Sequence, residues 1–485
     1  MNPIKKLAGQ TVIYGLSSIV PKFLNYLLVP LHTHVFQKAE YGVVTELYSY
    51  VTFLVILLTY GMETGFFRFS QKDEDAPHAY GTALISLVSS SLLFVLLVSL
   101  FTDPLAGAMK YTDHPEYLRY IGWILTLDTC AAIPFARLRL QNKALRFAII
   151  KIINVLTNLL FTCFFLWFCP HHASSAFVSS VWSPDDLVRY VFISNLLASI
   201  TTLILLLPQM LSTRISFRWS VWKSMLTYSL PLLIAGLAGN FNEVADRILL
   251  KHRLVMGQEE AMAQIGVYGA NIKIAVLMTL FIQMFRYAAE PFFFSNAKAK
   301  DSKETIAEIM KFFILSGLCI FLGITLYIDI FKYFNDSKFW EGLHIVPIMA
   351  AANLCLGIYY NLSIWFKLKD KTYFGIYVAC VGALISIFGN WLLIPRFGYT
   401  ASAWLHLTCY VVMGLITYIV GQKKYPIPYD KRAIGGYILL AGILFAAAQI
   451  TPIGLPWLNM LKNTLLLLVF VAIAVKKEYK TFLQK

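Results

Sequence analysis

Asn240-Phe241-Asn242-Glu243-Val244-Ala245-Asp246-Arg247 lies inside a run that is otherwise suited to lipid. Upstream the chain reads Tyr228-Ser229-Leu230-Pro231-Leu232-Leu233-Ile234-Ala235-Gly236-Leu237-Ala238-Gly239, and downstream Ile248-Leu249-Leu250-Lys251. A charge deep in a bilayer costs at least ~2.5 kcal/mol on insertion scales, so it needs a water-filled cavity or a partner. Glu243 and Arg247 stand four apart with the acid first, the order that favours an ion pair along one helix face. Asn240 lies one turn earlier on the same side. Either the pair merely lets the helix insert, or this face is a cavity wall that meets a charged cargo.

Working outward, the whole chain repeats this pattern. Its 485 residues are 58% hydrophobic and only 14% charged. Apolar runs of about 20 residues recur from end to end, as in a polytopic membrane protein. The expected spans are 8–35, 42–68, 78–101, 117–138, 145–169, 187–208, 224–250, 263–290, 306–329, 342–366, 373–395, 399–421, 432–450 and 457–475. The fold class is therefore all-α, with about 14 transmembrane helices. Lys5 and Lys6 precede an apolar region too long for a signal peptide and without a small-residue cleavage site, so the first span is expected to stay. The seven cysteines fall within predicted helices with no metal-ligand spacing.

A formal charge of +15 raises the question of nucleic acid. Its placement answers it. With the N-terminus inside, most of the 41 Lys and Arg fall in inner segments, which is the positive-inside bias and predicts an N-in, C-in topology. No nucleic-acid partner is needed. The richest inner loop, Arg137 to Lys151, is expected to touch anionic headgroups.

In the first span, prolines 21 and 30 predict a kink. Gly15, Ser18, Lys22 and Asn25 follow helical spacing, which places a lysine near mid-membrane, either paired with Glu46 or Asp128 or facing a cavity. Glu46 opens the second span, and Glu63 with Arg68 reads as an interfacial anchor at its end. Asp128 is an isolated acid at mid-membrane in the fourth span, a candidate for reversible protonation.

Ala39-Glu40-Tyr41-Gly42-Val43-Val44 resembles Ala263-Gln264-Ile265-Gly266-Val267-Tyr268, and the loops Gln141–Phe147 and Leu368–Phe374 correspond in position. Six spans separate the members of each pair, so the halves are expected to be parallel repeats about an axis along the membrane normal. This divides the chain into an N-terminal lobe, 1–222, a C-terminal lobe, 223–421, and a last helix pair, 422–485. Spans seven and eight are then the counterparts of one and two, and in such transporters cargo binds near the midplane between repeats. The candidate substrate-binding residues are Lys22, Asn25, Asn240, Arg247 and Lys273. The candidates for ion coupling or gating are Glu46, Asp128, Glu243, Asp246 and Arg286, the last spaced to pair with Glu290. No Walker loop, Ser/His/Asp set, metal-ligand cluster or large outer loop is present, so neither an enzyme nor a cofactor is expected.

The pattern Ala8-Gly9-Gln10-Thr11-Val12-Ile13-Tyr14-Gly15-Leu16-Ser17, the Ala39–Val43 motif, Ser229-Leu230-Pro231, Val267-Tyr268 with Lys273, and Pro395-Arg396-Phe397-Gly398-Tyr399-Thr400-Ala401-Ser402 resemble the polysaccharide flippase (Wzx-like) branch of the MOP superfamily. That superfamily also holds drug-exporting MATE transporters and lipid II flippases. The resemblance covers essentially the whole chain. It implies a two-lobed, monomeric protein of the bacterial inner membrane that moves an undecaprenyl-diphosphate-linked oligosaccharide from the cytoplasmic to the periplasmic leaflet by alternating access. The product would serve lipopolysaccharide O-antigen or other surface polysaccharide, with polysaccharide assembly proteins and membrane lipids as partners. Lys22, Arg247 and Lys273 are the candidates for the family's cationic cavity. An ion-coupled MATE-like exporter of drugs or small molecules is the alternative, and the deep cations weigh against it.

Overall fold

The computed structural model describes residues 15, 19–71, 76–211, 216–295, 301–369, 371, 373–451 and 454–483. Among these every regular element is helical. Twelve helices are long and apolar enough to cross a membrane, and one of them, Tyr373–Lys424, bends at Gly398 and so accounts for two expected spans. The first expected span lies partly outside the described residues. Its visible part turns at Leu27 before Leu28–Val35, near Pro30, which has no N–H to continue the helical ladder.

The chain forms two compact units, Met1–Ile248 and Leu249–Lys485. Most of the seventh span thus groups with the first unit, whereas the sequence repeat put the division near 222. In the first unit the principal helices are α1 (Leu28–Val35), α2 (Lys38–Thr59), α3 (Met62–Phe69), α4 (Ala76–Leu100), α5 (Glu116–Leu140), α6 (Ala144–Cys163), α7 (Val188–Leu211) and α8 (Trp219–Arg253). The second expected span is two helices, because Tyr60 and Gly61 both take left-handed backbone angles between α2 and α3. Alpha-helix α5 is central, packed against α2, α4 and α7. Met62, Phe66, Phe69, Tyr80, Leu87, Ile133 and Met225 form one core, and Phe135, Leu138, Phe147 and Leu206 a second.

Helix α8 runs antiparallel along α2 and α3. Gly65 faces Met225, Gly61 faces Ser229, and Gly236 faces Ile56. The Phe53 and Phe241 rings meet edge to face at 4.7 Å. Small residues allow this close approach, since in lipid it is packing rather than water exclusion that holds helices together. The same reasoning explains the exposed apolar faces, such as Leu92, Leu93, Leu96 and Leu97 on α4.

The second unit holds α9 (Gln258–Ser295), α10 (Ser302–Leu326), α11 (Val346–Leu362), α12 (Tyr373–Lys424), α13 (Lys431–Ile450) and α14 (Pro456–Leu483). Helix α11 packs on α9, α10 and α12. The expected last hairpin is integrated rather than appended: α13 and α14 lie on α10, and Tyr437 and Phe470 share a core with Ile274, Met278, Phe313 and Leu322. All seven cysteines are free.

Candidate functional site

In the first unit, three of the four helices expected to line a cavity meet. Tyr26 of the first span and Arg247 of α8 both act electrostatically on Tyr41 of α2, which is 3% exposed. Arg247 does not pair with the Glu243 carboxylate as its spacing predicts. Its Nη1 donates to the Glu243 backbone carbonyl at 2.8 Å, and its backbone N–H donates to Asp246 Oδ1 at 2.8 Å. Glu243 itself is exposed while Asp246 is fully buried, so one helical turn splits the two acids between different surroundings. The Asn240 amide donates along the helix to the Gly236 carbonyl at 3.3 Å and is half-buried.

Lys22 is exposed on the first span, as is Asn25, whose Oδ1 accepts from Asn158 at 3.3 Å. Both acids that the spacing offers Lys22 accept hydrogen bonds from other helices or loops. Glu46 is fully buried and accepts from the Tyr111 hydroxyl. Asp128 accepts from Ser199 Oγ at 2.7 Å and feels the charge of Lys151.

Lys151 is a residue that sequence reading placed in the headgroup loop. It sits instead on α6 among protein groups, with its ammonium 4.2 Å from the Phe135 ring centroid and within electrostatic reach of Asp128, Arg139 and Glu63. Two more basic residues of that loop are held by protein: Arg137 donates to the Gln209 carbonyl at 2.8 Å and covers the Tyr80 ring, and Arg139 pairs with Glu63. Arg68, expected to anchor Glu63, lies over Tyr228 at 4.2 Å. The signal that was available is position: a lysine eight residues into an apolar helix is past the headgroups.

In the second unit, Lys273 is exposed on α9 although Asn271, Ile274 and Ala275 beside it are buried. Asn271 turns inward and donates to the carbonyls of Val267 and Phe339, both at 2.8 Å. Arg286 lies 4.1 Å from the Tyr360 ring centroid, a cation–π contact. The Glu290 side chain lies outside the described residues. Gly42 and Gly266, equivalent in the sequence repeat, are both buried.

Within the first unit Lys22 is exposed, while Glu46 and Asp246 are fully buried.

No curated protein matches the sequence. Among solved structures, the lipid II flippase MurJ in an inward closed conformation is similar at a TM-score of 0.72 and 14% identity, over 96% of this chain and 99% of that one. An inward-facing multidrug resistance MATE family transporter of the MOP superfamily is similar at 0.68 and 11% identity, over 85% and 98%. A MOP superfamily transporter from Pyrococcus furiosus, described by a binding pocket of reverse polarity, is similar at 0.58 and 12% identity, over 87% and 96%. These likenesses establish the fold. The family model for polysaccharide biosynthesis proteins matches residues 7–296, more than half of the chain, and the protein belongs to that family.

Proposed function

We propose that the protein is a flippase that carries an undecaprenyl-diphosphate-linked oligosaccharide from the cytoplasmic to the periplasmic leaflet for surface polysaccharide synthesis. The observation that carries this reading is the exposure of Lys273 on a helix long and apolar enough to cross a membrane, together with that of Lys22 on the first expected span. Hydrocarbon does not solvate an ammonium group, so such side chains need a wet cavity, a protein partner or an anionic ligand. A lipid diphosphate offers both charge and acceptors for charge-assisted bonds. Arg247, with Asn25 and Asn240, would complete the headgroup contacts, and the sugar would occupy the aqueous part of the cavity. Glu46, Asp128, Glu243, Asp246 and Arg286 would couple an ion or gate the two access states.

Two negative charges moving outward across an inside-negative potential of ~100 mV gain about 4.6 kcal/mol. Reconstitution tests the substrate class. Proteoliposomes holding the protein and a polyprenyl-diphosphate oligosaccharide should expose the lipid-linked sugar in the opposite leaflet faster than protein-free vesicles. Efflux of cationic drugs with no flipping of the lipid would favour a MATE-like exporter.

A further inference from the structure

One end of the first unit, where α5 begins and the chain enters α7, holds a group that the transport reading does not use. His114, Glu116 and Asp186 each present a ligand atom, and the three atoms lie within 4.8 Å of one another. His114 Nδ1 is 3.1 Å from Glu116 Oε1 and 3.8 Å from Asp186 Oδ2. The other Asp186 oxygen is committed: Oδ1 accepts from the Tyr117 hydroxyl at 2.7 Å and from the Arg189 backbone N–H at 3.3 Å. Oδ2 is buried with no hydrogen-bond partner, on a side chain only 10% exposed. Leaving a carboxylate oxygen dry and unsatisfied is costly.

We propose that His114, Glu116 and Asp186 hold a divalent transition-metal ion, zinc in preference to calcium or magnesium. An imidazole nitrogen beside two carboxylates suits zinc, whereas calcium and magnesium take oxygen donors. Ligand atoms lie ~2.0–2.2 Å from zinc, so the edges of its tetrahedron are roughly 3.3–3.6 Å. The separations of 3.1 and 3.8 Å fall on either side of that range. A water takes the fourth position, because the His114 side chain is 43% exposed. Outer partners orient the ligands, as metal sites require: Tyr117 bonds Asp186 and stacks on the His114 ring at 4.9 Å, the planes 8° apart. Arg189 acts on Asp186 electrostatically, but its guanidinium donates to the Tyr190 hydroxyl at 3.0 Å and leaves Oδ2 open. The ion ties the start of α5 to the segment entering α7, an end that the loop charges assign to the outside of the membrane.

Calorimetry on the full-length protein, free of any affinity tag, tests this. Zinc is expected to bind at one ion per chain and to raise the unfolding temperature, with no response to calcium or magnesium. His114→Gln should weaken zinc binding at least about tenfold and shrink the rise in unfolding temperature that zinc produces in the wild type. Tyr117→Phe, which removes an outer partner, should weaken it about 10- to 100-fold. Substituting the exposed pair His171 and His172 by Ala should leave zinc binding intact. Zinc uptake unaffected by His114→Gln and Asp186→Asn, lost with the His171/His172 variant, or weaker than calcium uptake would overturn the assignment.

Discussion

Lys311 Nζ lies 2.6 Å from Glu478 Oε2, and the two side chains are 13% and 6% exposed. Tyr437 donates to the other carboxylate oxygen at 2.8 Å, so one buried acid fastens α10, α13 and α14 together. Removing one partner of a buried pair costs about 3–5 kcal/mol because the other charge is stranded, whereas replacing both by apolar groups is often neutral. Lys311→Met should therefore lower thermal stability in detergent markedly, and Lys311→Met/Glu478→Leu should recover most of the loss. Equal losses in the single and double variants would show that the charge pair is not what holds the hairpin.

Tyr111 should behave as a permanent donor to Glu46. Burial, then the adjoining carboxylate, hold its hydroxyl well above the ordinary phenol range. A group whose folded pKa is raised contributes stability that is complete below its unfolded value, ~10, and is lost as pH rises beyond it. Above that pH the stability of Tyr111→Phe should fall by one proton less per chain than that of the wild type. Below it, the variant should be about 1.5–3 kcal/mol less stable, the usual worth of a hydrogen bond to a charged group. Parallel pH titrations of unfolding check both limbs.

Gly398 joins the two halves of α12 with φ 56° and ψ −144°, a region only glycine occupies easily. A Cβ there would also sit 2.7 Å from Gln264 Oε1. Gly398→Ala should cost about 1–3 kcal/mol. Gly442→Ala, where a Cβ meets nothing within 4 Å, should be near neutral in the same thermal assay.

Asp128 is expected to be the ion-responsive acid of the first unit. Asp128→Asn keeps the Ser199 bond and removes the charge that faces Lys151. Flipping by this variant should lose its dependence on an imposed proton or sodium gradient, with membrane abundance unchanged. A gradient response equal to that of the wild type assigns Asp128 to structure alone.

Long apolar runs made the helices legible, because lipid leaves a chain few alternatives once its backbone must bond internally. What local pattern does not encode is pairing between helices. Asp128 looked isolated because Lys151 and Ser199 approach it from α6 and α7, and Glu63 finds Arg139 rather than the nearer Arg68. Asp186 gave no sign of a metal-ligating role, since 69 residues separate it from Tyr117. The break at Tyr60 and Gly61 was hidden for a different reason: two residues interrupt a run whose hydropathy continues through both helices. Among the candidate residues, the lysines at 22 and 273 were readable as charges in apolar runs, while the burial of Asp246 beside exposed Glu243 depends on what packs against α8.

The most direct measurement is flipping of a lipid-linked oligosaccharide in proteoliposomes by Lys22→Ala, Lys273→Ala and the matching Arg substitutions. The proposed function predicts at least a tenfold slower rate for each Ala variant, about 1.4 kcal/mol of lost charge-assisted binding, with substantial recovery in the Arg variants that keep the charge. Wild-type rates in both Ala variants, at equal protein incorporation, would contradict a cationic substrate path.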